Sequence, residues 1–505
     1  MRTTAQRLGS SSPDVCLAAP QSDRSCDVIS ELSYISATEA VKLFKARALS
    51  PVELMEATIK QSERAEPTVN AFCHTFFESA LDQAHSAEQR YGGKGGPIRP
   101  LEGIPVALKE EEPLSGQPLT EGSLIYKDQI ADRSSAFAQR HVDAGAIIHA
   151  RTTAPEFSCS AFTQSRIWGI TRNPWNPTYS PGGSSGGSAA ALASGTATLA
   201  SGSDIGGSIR SPAAFCGVVG FKPPYGRVPL DPPFNLDTFC HNGPLARTVA
   251  DCALYENQVA GPDPSDITTL RPKLILPEQF EAVTGMRIAL SVDLGGWPVE
   301  PEIAANTRAV GDALREAGAI VEEVDLNVPQ ADVALASAVH FRLIFGDVVE
   351  RITEENRDLV TNYALEFVRW SAEASGESSL LDALLLEAKI YGPVSDLLGR
   401  YDALICPTNG MSGLLADDDY VGHGIRVNGV DLEYYFEALL TSVFNVLSRC
   451  PVLNVPSGFS ANGVPTGVQI AGKSYDDETV FRIGAALEHL RPWLDSAERR
   501  PTIST

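Results

Sequence analysis

Pro181-Gly182-Gly183-Ser184-Ser185-Gly186-Gly187 and, a short way on, Gly202-Ser203-Asp204-Ile205-Gly206-Gly207-Ser208-Ile209-Arg210 decide how this chain reads. They lie in and at the end of a stretch, between Arg172 and Asp204, with no charged residue. Upstream, Gly103-Ile104-Pro105-Val106-Ala107-Leu108-Lys109 puts a lysine at the end of a hydrophobic run. A nucleophilic hydroxyl needs a base to take its proton and donors to hold the oxyanion. Glycines let backbone N–H groups approach a tetrahedral oxyanion without an intervening side chain. A lysine taken out of water loses its charge and can then accept a proton.

Each segment has a plainer reading. Gly and Ser serve equally well in turns and linkers, and a lysine at a strand end is usually solvated. A linker, however, has no reason to place Asp204 and Arg210 on either side of Gly206-Gly207-Ser208. The first segment also fits G-x-S-x-G, the nucleophile elbow of a Ser-His-Asp esterase. That elbow follows a buried strand, and here Pro177 and Pro181 precede it, which disfavours one. No lysine follows the glycines in phosphate-loop spacing.

Composition narrows the function. The chain has 505 residues, 43% hydrophobic and 20% charged, with a net charge of -23. That balance opposes a nucleic-acid surface, which needs a positive footprint. The nine cysteines, at 16, 26, 73, 159, 216, 240, 252, 406 and 450, form no C-x-x-C pair and fit reduced thiols. No metal-ligand spacing such as H-E-x-x-H occurs, and no apolar run reaches the length of a membrane span. The N-terminus lacks an apolar run of signal-peptide length. A cytoplasmic enzyme is expected, without metal or cofactor, acting on a small molecule with water; a homodimer is left open.

The chain reads as a flexible segment at 1–30 followed by one domain over 31–500. Ser36-Ala37-Thr38-Glu39 and Ser50-Pro51-Val52-Glu53 are capping boxes that start two helices. Short buried strands are expected at Ile104 to Leu108, Ala146 to Ala150, Met286 to Ser291, Ile320 to Val324, Tyr401 to Cys406 and Val464 to Ile470. Helices are expected at Ala136 to Ala144, Ala189 to Ala200, Pro301 to Ala317 and Glu478 to Leu490. This alternation predicts an α/β fold, a sheet covered by helices on both faces. Residues 331–440 are mostly helical and offer Phe341, Phe345, Trp370, Tyr434, Tyr435 and Phe436 as a wall for an apolar or aromatic substrate, or as core.

The order of Lys109, Gly-Gly-Ser-Ser-Gly-Gly and Asp-Ile-Gly-Gly-Ser-Ile-Arg resembles the amidase signature family of serine hydrolases. The likeness is strongest from Gly103 to Gly226, including Glu156-Phe157, Gly169 to Trp175 and Gly220-Phe221-Lys222-Pro223, and continues in Gly463 to Ile470. It implies a large mixed central sheet and a Ser–Ser–Lys triad. Ser208 matches the nucleophile, Ser184 the bridging serine on a cis peptide, and Lys109 the base. The N–H groups of Ile205, Gly206 and Gly207 match the oxyanion hole, and Gly183, Ser185 and Asp204 are expected to meet substrate. The implied activity is hydrolysis of a linear amide through an acyl-enzyme on Ser208. Alternatives are an ester or carbamate hydrolase on the same site, or a glutamine-dependent amidotransferase subunit. One departure stands out: the family commonly has Asp, often then Asn, after the lysine, and this chain has Glu110, Glu111 and Glu112. On a strand Glu111 shares the face of Lys109 and Glu110 does not. A glutamate facing Lys109 favours its charged form.

Overall fold

A computed structural model of the chain describes residues 31–503. The flexible segment expected at 1–30, with Cys16 and Cys26, lies outside the described residues. The centre is an eleven-stranded sheet. Its strands are β1 (Phe72–Thr75), β2 (Pro105–Lys109), β3 (Ile147–Thr152), β4 (Leu199–Asp204), β5 (Val219–Lys222), β6 (His241–Ala246), β7 (Arg287–Leu290), β8 (Ile320–Glu323), β9 (Ala403–Pro407), β10 (Val452–Phe459) and β11 (Pro465–Gly472). Their order is β1-β3-β2-β4-β6-β5-β10-β11-β9-β7-β8. The sheet is mixed: β3, β2 and β4 run parallel, β9, β7 and β8 run parallel, and the pairs between these two groups are antiparallel.

Side chains alternate across the sheet, as the period of a strand requires. On one face Val106, Leu108, Ile148, Phe221, Ile288, Ile405, Leu453 and Ile470 join a core with helices α1 (Ala37–Ala46), α2 (Pro51–Val69) and the C-terminal helix Asp477–Leu490. On the other face, near β2 and β4, the residues are small. Ala107, Ala150 and Ala200 pack against Ala189 to Ala193 and Ala213. The small residues let helices α3 (Gly186–Ala193) and α4 (Arg210–Cys216) lie close to the sheet. An added Cβ at Gly187 would sit 2.6 Å from both the backbone N and O of Thr153, so only glycine permits that approach. Lys109 ends β2 on this second face.

Several expected elements differ in extent. The helix expected to reach Ala200 stops at Ala193, where Ser194 turns its Oγ back onto the carbonyl of Ala190 at 2.7 Å, and Leu199–Asp204 is a strand. Strands β1, β5, β6 and β10 were not anticipated. The capping box at Ser50 and Glu53 is complete; Ser36 accepts from the N–H of Glu39, whose carboxylate pairs with Lys42 instead. Among the described residues no helix is long and apolar enough to cross a membrane.

Candidate active site

The two serine-bearing loops meet at the C-terminal ends of β2 and β4. The loop before α3 carries Ser184, and the Gly183–Ser184 peptide is cis. The turn between β4 and α4 carries Ile205 to Ser208. Ser185 donates its N–H to the carbonyl of Ser208 at 3.2 Å, which ties one loop to the other. No strand runs into the 182–187 segment, so the context of a nucleophile elbow is absent.

Lys109 is fully buried, which replaces the solvated reading of a strand-end lysine. Its Nζ lies 2.7 Å from Ser184 Oγ, 2.8 Å from Ser203 Oγ and 3.0 Å from a carboxylate oxygen of Glu111. Burial pushes the amine below its ordinary range, and Glu111 works against that shift. Burial alone would raise the Glu111 carboxyl, but the adjacent Lys109 and the hydroxyls of Ser158 and Ser203 hold it below the usual range. Glu111 therefore faces Lys109 as expected, though from a turn that follows the strand, closed by the Glu112 N–H on the Lys109 carbonyl at 3.1 Å, and not by strand alternation. Glu110 points elsewhere, accepting from the N–H of Thr120, and burial moves its carboxyl up to about 7.

Exposure rises along the series: Lys109 is 0% exposed, Ser184 1% and Ser208 9%. A proton relay would need a base sealed from water at one end and a less enclosed hydroxyl at the other, the order in which these three residues stand. Lys109 and Ser184 are hydrogen-bonded, whereas among the described residues no hydrogen bond joins the Ser184 and Ser208 hydroxyls. Such contacts commonly tighten only when substrate is bound.

The turn that carries Ser208 is locked from beneath. Asp204 and Arg210 are both fully buried and form a two-armed pair, with Nη2 at 2.8 Å and Nε at 3.0 Å from the carboxylate oxygens. Arg210 also donates to the carbonyl of Thr441, to Gln469 and to Asn445 at 2.8 to 2.9 Å. Burial would raise the Asp204 carboxyl, but Arg210 and Asn445 hold it well below the carboxylate range. Thr441 donates to the carbonyl of Gly206 at 2.7 Å. Gly207 has φ +129, and an added Cβ there would lie 2.1 Å from Thr441 Oγ1. Among the described residues, the N–H groups of Ile205, Gly206 and Gly207 are paired with no protein acceptor. An unspent row of donors beside Ser208 is what an oxyanion site needs.

Three residues expected at the substrate are placed differently. The Asp204 carboxylate is consumed by Arg210, Asn445 and the N–H of Ile209, with no face left for a ligand. Ser185 is fully buried, its Oγ accepting from the N–H of Ser203 at 3.3 Å. Gly183 is enclosed by Ser160, Ala161 and Phe162. The aromatic residues are mostly core: Phe341, Tyr434 and Tyr435 are buried, and Phe345, Trp370 and Phe436 are packed onto the same cluster. Two of them reach the site, because a Cβ on Gly206 would meet Phe341 at 3.2 Å and Phe436 at 3.8 Å. Trp370 stacks on Phe436 with ring centroids 6.0 Å apart. Ser203, Ser158, Thr441 and Asn445 escaped sequence reading. Among the described residues no group of His, Cys, Asp and Glu is arranged to hold a metal ion.

A protein-family model described as Amidase matches residues 53–481. The chain belongs to the amidase signature family. It is 32% identical over 501 residues to a glutamyl-tRNA(Gln) amidotransferase subunit of Chloroflexus aurantiacus, covering 92% of this chain and 98% of that one. It is also 32% identical over 475 residues to an acylamidase of Rhodococcus erythropolis, covering 92% and 97%. Among solved structures, a bacterial aryl acylamidase of the amidase signature family superposes with a TM-score of 0.82 at 30% identity, covering 91% of this chain and 97% of that chain. A 6-aminohexanoate cyclic dimer hydrolase superposes with a TM-score of 0.78 at 29% identity, covering 93% and 99%. Amidase signature enzymes break amide C–N bonds, and the large mixed sheet of this chain is their fold.

Proposed function

We propose that this protein is an amidase that hydrolyses a linear amide with an apolar or aromatic group, through an acyl-enzyme on Ser208. The single observation that carries the reading is the fully buried Lys109 amine 2.7 Å from Ser184 Oγ, on a loop tied to Ser208. Neutral Lys109 takes the proton of Ser184, Ser184 takes that of Ser208, and Ser208 attacks the carbonyl carbon. The N–H groups at Ile205 to Gly207 receive the oxyanion. The proton returns by the same route to the leaving amine, and water repeats the attack to release the acid. Phe341 and Phe436 beside Gly206 support an apolar or aromatic substituent. The seven free cysteines among the described residues support a reducing, cytoplasmic setting, and the catalytic unit is taken to span 31–500.

The similarity to amidotransferase subunits favours a second reading, release of ammonia from glutamine. The wall at Gly206 counts against it, since aromatic rings give glutamine's charged amino and carboxylate groups no partner. The net charge of -23 also disfavours work beside tRNA.

The test is covalent labelling with a fluorophosphonate, followed by turnover on a panel of anilides, primary amides, esters, carbamates and glutamine. One adduct on Ser208, its loss in Ser208→Ala together with all turnover, and the highest kcat/KM on an aryl or apolar amide are the expected results. Labelling at Ser185 instead, or glutamine as the best substrate, overturns the assignment.

A further inference from the structure

Three acceptors surround one amine. Lys109 Nζ meets Ser184 Oγ, Ser203 Oγ and a carboxylate oxygen of Glu111 at 2.7 to 3.0 Å. A neutral lysine amine has two N–H bonds and one lone pair, so it can donate to only two of the three. Which neighbour faces the lone pair decides whether the base can act. A hydroxyl can donate or accept, whereas an ionised carboxylate can only accept. Glu111 therefore always takes one N–H. Ser203 also lies against the Glu111 carboxylate. Lys109 Nζ donates to Ser203 Oγ at 2.8 Å, and with the Ser203 hydroxyl hydrogen turned to that carboxylate its oxygen takes the second N–H. The lone pair is left for Ser184 alone.

The carboxylate is itself held. Ser158 donates its hydroxyl to the Glu111 oxygen on the other side from Lys109. Ser158 and Phe157 both have left-handed backbones, with φ of 57 and 50, a conformation uncommon for residues with a side chain. Their short turn is pinned to the aromatic region. Glu156 accepts from the N–H and the hydroxyl of Thr361 at 2.6 Å, and its own N–H donates to the Tyr363 hydroxyl at 2.6 Å. Residues distant in sequence thus spend backbone freedom to fix one carboxylate against the lysine.

We propose that Glu111, clamped by Ser158, is a positioning residue for the base: it accepts an N–H of Lys109 and thereby directs the amine's lone pair at Ser184. The arrangement has an electrostatic cost, because the carboxylate also favours the charged lysine. This inference rests on the assignment of Lys109 as base and Ser208 as nucleophile. When Nζ takes the Ser184 proton it becomes an ammonium with three N–H bonds for its three acceptors, and Ser184 in turn takes the proton of Ser208. The clamp therefore pairs fully with the ammonium that each attack forms.

Other titratable groups face this pair. Glu112 and Asp204 act on Lys109, and Glu112, Glu121 and Cys240 lie near Glu111. Asp204 is already matched by Arg210. Burial moves the carboxyls of Glu112 and Glu121 to about 7, so their titration overlaps the range of interest. The informative quantity is the difference between parent and variant rather than an absolute midpoint.

The experiment uses the full chain and the rate of Ser208 modification by a fluorophosphonate as a function of pH, resolved into kinact and KI, with thermal melts to establish folding. Glu111→Gln keeps an acceptor of the same shape and removes the charge. Its kinact plateau is expected within about tenfold of the parent, with the rising limb moved about one pH unit lower. Glu111→Ala removes the acceptor as well, and its plateau is expected about 100-fold lower with KI within about threefold. Ser158→Ala, which leaves Glu111 in place but unclamped, is expected to lose about tenfold in kinact. An unmoved limb in Glu111→Gln, or equal losses in Glu111→Gln and Glu111→Ala, overturns the proposal. If Glu111→Ala does not fold, a Ser158→Ala enzyme with the parental profile overturns it. A Lys109→Ala enzyme that still labels Ser208 at the parental rate would instead overturn the underlying assignment, so the two failures are distinguishable.

Discussion

Lys109 shows at the scale of one residue which of two opposed effects prevails. Burial lowers the amine's pKa and Glu111 raises it, and the net direction is downward. The fraction of neutral base therefore grows as pH rises through a value below the ~10.4 of a free lysine. Turnover should rise with pH along the same limb, and Lys109→Ala should lose at least ~100-fold in kcat while melting at nearly the parental temperature. The residues proposed as the triad were legible because each sits in a local signature: a lysine closing an apolar run, and two serines among glycines. Glu111 was expected on the lysine's face from strand alternation, but the strand ends at Lys109 and it is a turn, closed by the Glu112 N–H on the Lys109 carbonyl at 3.1 Å, that brings it there. Ser158 was not, because its contact depends on a left-handed turn from a different part of the chain. The partners of Asp204, expected to meet substrate, were not legible for a related reason. Sequence shows that Asp204 and Arg210 flank a turn, but not that they close on each other beneath it. That closure predicts a stability effect rather than a binding effect. Asp204→Asn leaves the fully buried Arg210 without its counter-charge and should cost on the order of 3–5 kcal/mol, read as a large drop in melting temperature. A variant that melts like the parent but binds substrate poorly would return Asp204 to the substrate.

At the scale of an element, the Gly186–Ala193 helix explains why the site can form at all. Its alanines lie on a sheet face whose own residues are alanines, and its first turn presses on the backbone of Thr153. Gly187→Ala places a methyl carbon 2.6 Å from backbone atoms that cannot rotate away. We expect at least ~1–3 kcal/mol of destabilisation with loss of Ser208 labelling, measured by chemical denaturation and by mass. Equal stability would mean that the helix can lift without disturbing Ser184. The strands legible in the sequence were those that contain a run of branched or aliphatic residues, such as Val106 to Leu108 in Pro105–Lys109 and Ile147-Ile148 in Ile147–Thr152. Leu199–Asp204 reads Leu-Ala-Ser-Gly-Ser-Asp and His241–Ala246 contains Gly243 and Pro244, compositions that do not favour strands. They are strands because neighbours on both sides pair with them, a constraint that no local window contains.

At the scale of the whole molecule, a chain with net charge -23 has placed part of its acid inside. Glu256, on the helix Val249–Val259, is 2% exposed, and neither carboxylate oxygen has a hydrogen-bond partner among the described residues. Burial and the nearby Asp477 push its carboxyl up to about 8, against the opposing pull of Arg227, Lys273 and Arg140. In the unfolded chain the same group titrates near ~4.3. Between those values the folded protein keeps a proton that the unfolded chain gives up. Stability must therefore fall as pH climbs through that window, and the loss is complete once the folded group ionises above about 8. Glutamine mimics the protonated acid at every pH, so Glu256→Gln should be near the parent in stability at pH ~5 and more stable by on the order of a few kcal/mol above pH ~8. Melting temperatures of parent and variant across that range give the test. A gap that widens with pH supports a buried neutral acid, and a gap of constant size means that Glu256 ionises without cost where it sits.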